Sequence, residues 1–149
     1  MTIEQVIKQT SFSSNIEKLT VNLLYTANWV ATRHDQLIKD EGLTGPQFNV
    51  LRILRGQKGN PIGVNEITGR MIDKMSNTSR LIDKLEKKDL VSRIQCPNDR
   101  RAVRITINPK GLDLLSELDP KLKKAQSELT NLGTQEIDQL NDLLDKLRM

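Results

Sequence analysis

The sequence has little of what most catalytic and cofactor sites need. Its 149 residues include one cysteine, Cys96, and one histidine, His34, and aromatic residues make up 3%. A single cysteine forms neither an internal disulfide nor a thiolate zinc site. The scattered carboxylates give no catalytic triad, no paired-carboxylate motif and no phosphate-binding glycine loop. We therefore expect no enzyme, no metal site and no cofactor.

Long apolar runs are also missing. No stretch approaches the ~20 apolar residues that a membrane-spanning helix needs, and residues 1–10 lack the pattern of a secretion signal. Charged residues make up 28% and apolar residues 36%, values typical of helix-rich soluble proteins. We expect a single domain over residues 1–149, with no membrane partner and a cytoplasmic location.

The charge is unevenly distributed along the chain. Residues 44–108 contain 13 Lys and Arg against 6 Asp and Glu, which gives +7, whereas the two flanks together hold 10 against 13, which gives −3. A basic middle between acidic ends is typical of a protein that binds a polyanion.

The apolar periodicity predicts a mainly helical fold with one small hairpin. Helical patterns cover residues 15–40, a segment from Thr44 to the breaker-rich residues 56–61, 64–72, 76–88, a segment from Pro109 to Gly133, and a last helix capped by Thr134. Two short strands, 90–94 and 103–107, flank a turn. Thr44 and Gln47 match a capping box, Asn108 and Pro109 mark a helix start, and Pro120 should kink that helix or begin its second half.

A short helix, a tight break, an amphipathic helix and a basic hairpin form a winged helix-turn-helix pattern. In the helix over 76–88 the apolar face carries Leu81, Ile82 and Leu85. Small hydroxyl and amide side chains at its start fit into a major groove, and a polar face follows by the i, i+3, i+4 rule. The candidate DNA contacts there are Ser76, Asn77, Thr78, Ser79, Arg80 and Lys84. An ordinary amphipathic surface helix is the alternative.

The hairpin tip carries Asp99, Arg100 and Arg101. Arginine at such a tip is attracted to the negative potential of a narrow minor groove, and Asp99 can orient a neighbouring arginine by a charge-assisted bond. A solvated basic turn is the alternative.

Residues 44–111 resemble the MarR family of bacterial winged helix-turn-helix regulators. The similarity lies in Thr44-x-x-Gln-x-x-Val-Leu51, in Arg80-Leu-x-x-x-Leu-Glu86, and in a wing pattern. That pattern comprises Arg93, Asp99-Arg100-Arg101, alternating apolar residues to Ile107, and Pro109-x-Gly111. The chain departs from the family at Asp89, where glycine is common, at Asn108 in place of threonine, and in the turn over residues 73–75.

The resemblance implies a homodimer held by terminal helices in 1–43 and 109–149, with residues 44–108 as the DNA-binding part. Two recognition helices would enter successive major grooves of a pseudo-palindrome, about 34 Å apart. The wings would enter the flanking minor grooves through Arg101, supported by Asp99. Family members commonly repress transcription and release DNA when a small ligand, often aromatic, or an oxidant changes the dimer.

Four side chains are candidates for such a ligand pocket: Tyr25, Trp29, His34 and Phe48. Their alternative role is packing in the core or at a seam. Cys96, at the wing base, is a passive strand residue or an oxidant sensor. The competing function for the whole chain is a protein-interaction or dimerisation module without DNA binding, which leaves the basic wing unexplained.

Overall fold

The structure, a computed structural model, describes residues 1–96 and 99–149, and for residues 96–102 it describes no side chains. This part of the chain forms seven α-helices and a small antiparallel sheet, which confirms the predicted fold class. The helices are α1 (Ile3–Ile7), α2 (Asn15–Ile38), α3 (Gly45–Arg55), α4 (Val64–Arg70), α5 (Thr78–Lys87), α6 (Pro109–Ser127) and α7 (Thr134–Leu147). The strands are β1 (Ile62–Gly63), β2 (Val91–Cys96) and β3 (Asp99–Ile107).

The sheet has the order β1-β3-β2. Val91 lies opposite Ile107 in the β2–β3 hairpin, and Ile62 lies opposite Ile105 where β1 joins its other edge. The two main strands are longer than predicted on the side of the turn. Strand β1 was not predicted, because two residues are too few to show an alternating pattern.

The core lies between α3, α4, α5, the sheet and the first half of α6. The faces predicted to point inward are buried, including Leu51 and Leu54 of α3, Ile67 of α4, and Ile82 and Leu85 of α5. Burial of a side chain of this size contributes about 1.5–3 kcal/mol. The core therefore fixes the orientation of α5 relative to the rest of the domain.

The helix starts follow the predicted caps with small differences. The capping box of α3 is present, since Thr44 N–H donates to Gln47 Oε1 at 3.0 Å and Gln47 N–H donates to Thr44 Oγ1 at 3.4 Å. At α7 the cap is Gly133, whose N–H donates to Glu136 Oε2 at 2.8 Å, so the prediction that Thr134 is the cap is wrong by one residue. Asn108 holds the cap position of α6, but its side chain makes no capping hydrogen bond.

Helix α6 runs without interruption through Pro120. The alternative that Pro120 starts a separate second half is therefore wrong. The helix ends at Ser127, earlier than the predicted break at Gly133.

Helix α1 was not predicted, because five residues are too few to show a helical period. Ile3 of α1 is buried, and Glu4 Oε1 pairs with Lys18 Nζ at 2.6 Å.

Two helices expose long apolar faces. In α7, which spans residues 134–147, no residue is buried, and Leu143 is 64% exposed. On α2, Ile16 and Leu24 are 75% and 68% exposed. None of the helices in the described part of the chain has the length and apolar character that crossing a membrane requires.

Candidate nucleic-acid interface

Helix α5 begins two residues later than predicted, because Asn77 is its N-cap. The Asn77 side-chain oxygen accepts a hydrogen bond from Arg80 N–H at 3.1 Å. The cap uses the side-chain oxygen of Asn77. The side-chain NH2 group takes no part in the cap and can donate to another acceptor. Ser76 therefore lies in the preceding turn, where its hydroxyl donates to Asp73 Oδ2 at 3.1 Å.

Thr78 is turned toward the protein. Its side chain is 4% exposed, and its Oγ1 accepts a hydrogen bond from Thr68 Oγ1 of α4 at 2.8 Å. The bond joins the first turn of α5 to α4, the two helices of the helix-turn-helix. The Thr78 side chain is therefore used for packing between these helices, which argues against a DNA contact by this side chain.

The remaining candidates on α5 share one solvent-facing surface. Asn77, Ser79, Arg80 and Lys84 are all exposed, whereas Ile82 and Leu85 on the opposite face are fully buried. The helix therefore presents cations and hydrogen-bonding groups outward, and the core holds its back. Such a helix can donate to phosphates and to base edges without rearranging its packing.

The end of α5 is closed by a left-handed residue. Asp89 has φ +60°, Asp89 N–H donates to Glu86 O at 2.9 Å, and Leu90 N–H donates to Leu85 O at 3.0 Å. This pair of bonds is the Schellman arrangement, which usually places glycine at the position of Asp89. The sequence departure at this position is therefore accommodated in the left-handed conformation, and the chain turns directly into β2.

Arg93 of β2 links the hairpin to α5, a role that the sequence analysis missed. Its guanidinium donates to both Asp83 and Glu86. The hydrogen bond to Asp83, with the charges of Glu86 and Asp83, raises the pKa of Arg93 above its ordinary value. Two carboxylates three residues apart on one helix could have indicated such a partner, but the pairing depends on where β2 passes.

The wing side chains lie outside the described residues. Asp99, Arg100 and Arg101 belong to β3, and Cys96 ends β2, but what their side chains contact is not described. Toward the base of the hairpin, Arg104 Nη1 donates to Pro61 O at 3.1 Å and joins β3 to the segment before β1. The hairpin is therefore attached to the domain at its base by the core, by Arg93 and by Arg104.

The four candidate pocket residues do not line one cavity. His34 packs edge-to-face on Phe48 with ring centroids 5.0 Å apart, and His34 lines a cavity of about 500 Å3 between α2 and α6. Tyr25 and Trp29 line a separate recess of about 310 Å3 on α2. Phe48 is 5% exposed and belongs to the core. The sequence predicts only that the four residues lie on neighbouring helices. The directions of their side chains depend on how these helices pack.

Comparisons with known proteins agree with this architecture. The sequence model of the MarR family matches residues 43–103, which span α3 to the hairpin. The uncharacterized HTH-type transcriptional regulator YsmB of Bacillus subtilis is 31% identical over 123 residues, 83% of this chain and 81% of that protein. The transcriptional repressor MprA of Escherichia coli is 27% identical over 130 residues, 87% of this chain and 74% of that protein.

A solved structure extends the similarity to nearly the whole chain. BpsR of Bordetella bronchiseptica, whose DNA binding is regulated by 6-hydroxynicotinic acid, matches with a TM-score of 0.77 and 26% identity. The match covers 93% of this chain and 96% of that one. Together with the exposed polar face of α5 and its attached hairpin, these similarities show that the chain belongs to the MarR family of DNA-binding transcriptional regulators.

Proposed function

We propose that the protein is a homodimeric repressor that binds a pseudo-palindromic operator through α5 and the β2–β3 hairpin. The observation that carries the proposal is the arrangement of α5, with Arg80 and Lys84 exposed on one face and Ile82 and Leu85 buried on the other. A helix held in this way can enter a major groove as a rigid unit. Arg80 and Asn77 are then placed for base edges and Lys84 for a phosphate.

Charge supports the same surface. The excess of seven positive charges in residues 44–108 favours a polyanionic partner. Arg93 pairs with Asp83 and Glu86 on α5 and offsets one of their two negative charges, so these carboxylates oppose the approach of phosphates less strongly. The surface therefore attracts DNA in spite of its acidic residues.

The hairpin supplies the second contact in this proposal. Asp99, Arg100 and Arg101 are the first residues of β3 after the turn. Arginine is favoured where the minor groove narrows. We assign Arg101 to insertion into the minor groove, Arg100 to the backbone and Asp99 to orientation of a neighbouring arginine. The attachment of the hairpin to α5 through Arg93 holds the two contacts in a fixed relation.

Dimerisation is supported by the apolar faces of the terminal helices. Exposed leucine and isoleucine side chains recur at helical spacing on α7, at Ile137, Leu140 and Leu147, and further apolar residues are exposed on α2. Such faces are unfavourable in water and are typical of surfaces that another chain covers. A two-fold dimer built from them places two α5 helices about one helical turn of DNA apart.

An effector fits the cavity between α2 and α6. Arg33 and His34 lie on one wall, and Leu37, Leu122 and Leu129 supply apolar surface. The lining also includes the carboxylate of Glu128, so we assign to this cavity a small planar molecule held mainly by the apolar walls. A ligand bound there would contact both α2 and α6. A shift of these helices would change the distance between the two α5 helices of the proposed dimer.

We further infer that the protein performs no covalent chemistry and acts in the cytoplasm, where chromosomal DNA is accessible. The named relatives are transcriptional regulators rather than enzymes. The competing interpretation is an interaction module that does not bind DNA. Salt separates the two, because only a DNA-binding protein loses duplex affinity steeply as salt rises.

The test measures duplex affinity against salt concentration for the wild type, Lys84→Ala and Lys123→Ala. Lys123 is an exposed lysine of α6 and serves as the matched control. The wild type should lose affinity steeply with salt, Lys84→Ala should reduce the slope of log K against log[salt] by about 1, and Lys123→Ala should leave it unchanged. Equal slopes for all three proteins would show that Lys84 does not contact phosphate and would contradict the proposed orientation of α5 on DNA.

A further inference from the structure

The turn that joins α4 to α5 exposes two large apolar side chains. Ile72 is 87% exposed and Met75 is 92% exposed. Neither lies on α2 or α7, the helices with the extended apolar faces described above. Their exposure therefore has no explanation in the core or in the proposed dimer contact.

Polar contacts fix the backbone of this turn. Asn49 Oδ1 accepts a hydrogen bond from Ile72 N–H at 2.9 Å, and Asp73 Oδ1 accepts one from Met75 N–H at 2.9 Å. Lys74 Nζ donates to Gly69 O at 2.6 Å and anchors the turn to α4. The turn is thus held by its polar groups, while the Met75 side chain extends into solvent from a backbone that is already ordered.

Met75 lies next to the groups proposed to read bases. Only Ser76 lies between it and Asn77, the N-cap of α5, so the two Cα atoms are at most ~7 Å apart. The first residues of a recognition helix are the ones that reach base edges in a major groove. The one apolar feature that a base presents there is the C5-methyl group of thymine.

We propose that Met75 packs on a thymine C5-methyl group in the operator and thereby contributes to sequence specificity. This inference rests on the proposed function. Methionine suits the contact, because its flexible thioether adapts to an apolar surface of irregular shape. The exposed face of α5, which begins three residues after Met75, carries Arg80 and Lys84, so Met75 adds an apolar contact to a cationic interface.

The experiment uses the full chain and the tightest duplex recovered by selection from random-sequence DNA. Each thymine of one half-site is replaced in turn by deoxyuridine, which removes the methyl group and keeps the base pair. Wild-type protein should bind about fourfold more weakly at one or two positions, the factor that corresponds to ~0.8 kcal/mol for one buried methyl. Met75→Ala should bind the thymine and deoxyuridine duplexes equally at those positions.

Two further variants control the result. Met75→Leu retains an apolar side chain and should keep most of the thymine preference, whereas Met149→Ala, at the exposed C-terminus, should keep all of it. The inference is overturned if Met75→Ala shows the wild-type preference, or if wild-type protein binds with a steep salt dependence but ignores every methyl group. Absence of any salt-sensitive duplex binding would instead reject the proposed function itself, and this inference with it.

Discussion

Asn108 donates its side-chain amide to Asp89 twice, to the backbone carbonyl at 3.3 Å and to carboxylate Oδ1 at 3.1 Å. Its own side-chain oxygen accepts from the Ser92 hydroxyl at 2.7 Å. Two of the three departures from the family pattern, Asp89 and Asn108, are therefore bonded to each other. The Asn108 side chain fixes the left-handed end of α5 instead of capping α6.

This relationship predicts different effects of two substitutions at one position. Asp89→Ala keeps a side chain in the left-handed region and removes an acceptor of Asn108, so it should destabilise the protein by about 1–2 kcal/mol. Asp89→Gly also loses the acceptor but relieves the strain at φ +60°, and it should be clearly less harmful. Chemical denaturation measures both, and equal losses would contradict the account.

The close packing of Gly111 predicts that a single methyl group is not tolerated there. A Cβ at Gly111 would lie 2.5 Å from Leu90 O and 2.8 Å from Ile107 Cγ1, whereas a Cβ at Gly69 in α4 meets nothing within 4 Å. Gly111→Ala should therefore lower the free energy of unfolding by about 1–3 kcal/mol. Gly69→Ala should raise it by up to about 1 kcal/mol through helix propensity. Thermal or denaturant unfolding of the pair measures the contrast, and a stable Gly111→Ala protein would contradict it.

The link between Arg93 and α5 predicts a loss of DNA affinity with little loss of stability. Arg93→Met exposes Asp83 and Glu86 to the phosphates as unneutralised charges, so duplex binding should weaken severalfold at low salt. The ion pairs are partly exposed, and their removal should change the free energy of unfolding by less than about 1 kcal/mol. Adding Asp83→Asn to Arg93→Met should restore part of the affinity, which a purely structural role for Arg93 does not predict.

Thr78 is buried and Ser79 is exposed. We therefore predict that substitution of Thr78 lowers mainly the stability of the protein, and that substitution of Ser79 lowers mainly its affinity for DNA. Thr78→Val removes the buried hydrogen bond between Thr68 and Thr78, while Thr68 keeps Val64 O as an acceptor, so the change should cost about 1 kcal/mol of stability. Ser79→Ala changes an exposed side chain and should leave stability almost unchanged while lowering duplex affinity. Unfolding curves and binding isotherms on both variants test this, and the reverse pattern would mean that Thr78 faces the DNA.

The docking of α1 predicts a response to acid. The hydrogen bond from Lys18 lowers the pKa of Glu4 from 4.5 to about 2. Because the pKa is lowered in the folded protein, the stabilising effect is complete above pH 4.5 and is lost as the pH falls toward 2. NMR titration of Glu4 should show the low pKa, and Lys18→Met should move it upward. An unshifted Glu4 in the wild type would show that α1 is not held by this pair.

Local signals allowed the sequence to predict much of the fold. Thr44 and Gln47, three positions apart, accept hydrogen bonds from each other's backbone N–H groups. The apolar spacing of α3 and α5 identifies their buried faces. The details that escaped prediction depend on contacts between distant segments. Thr78 looks like a polar helix start until α4 packs against it.

In the candidate site, too, features set by local sequence could be predicted and features set by contacts between distant segments could not. The exposure of Arg80 and Lys84 follows from the helical period, so it could be predicted. The partners of Arg93 lie seven and ten residues earlier, and those of Asn108 lie 16 and 19 residues earlier. No periodic pattern encodes those bonds. The separation of His34 from Tyr25 and Trp29 into different cavities likewise depends on side-chain direction in the packed protein.

The most direct test of DNA recognition by α5 is selection of bound fragments from genomic DNA with purified protein, sequenced at two salt concentrations. The account predicts enrichment of an inverted repeat with half-sites about one helical turn apart, lost at the higher salt. The same selection with Arg80→Ala should relax the preference at one position of each half-site. No enriched repeat for the wild type, together with duplex binding that does not change with salt, would contradict the account.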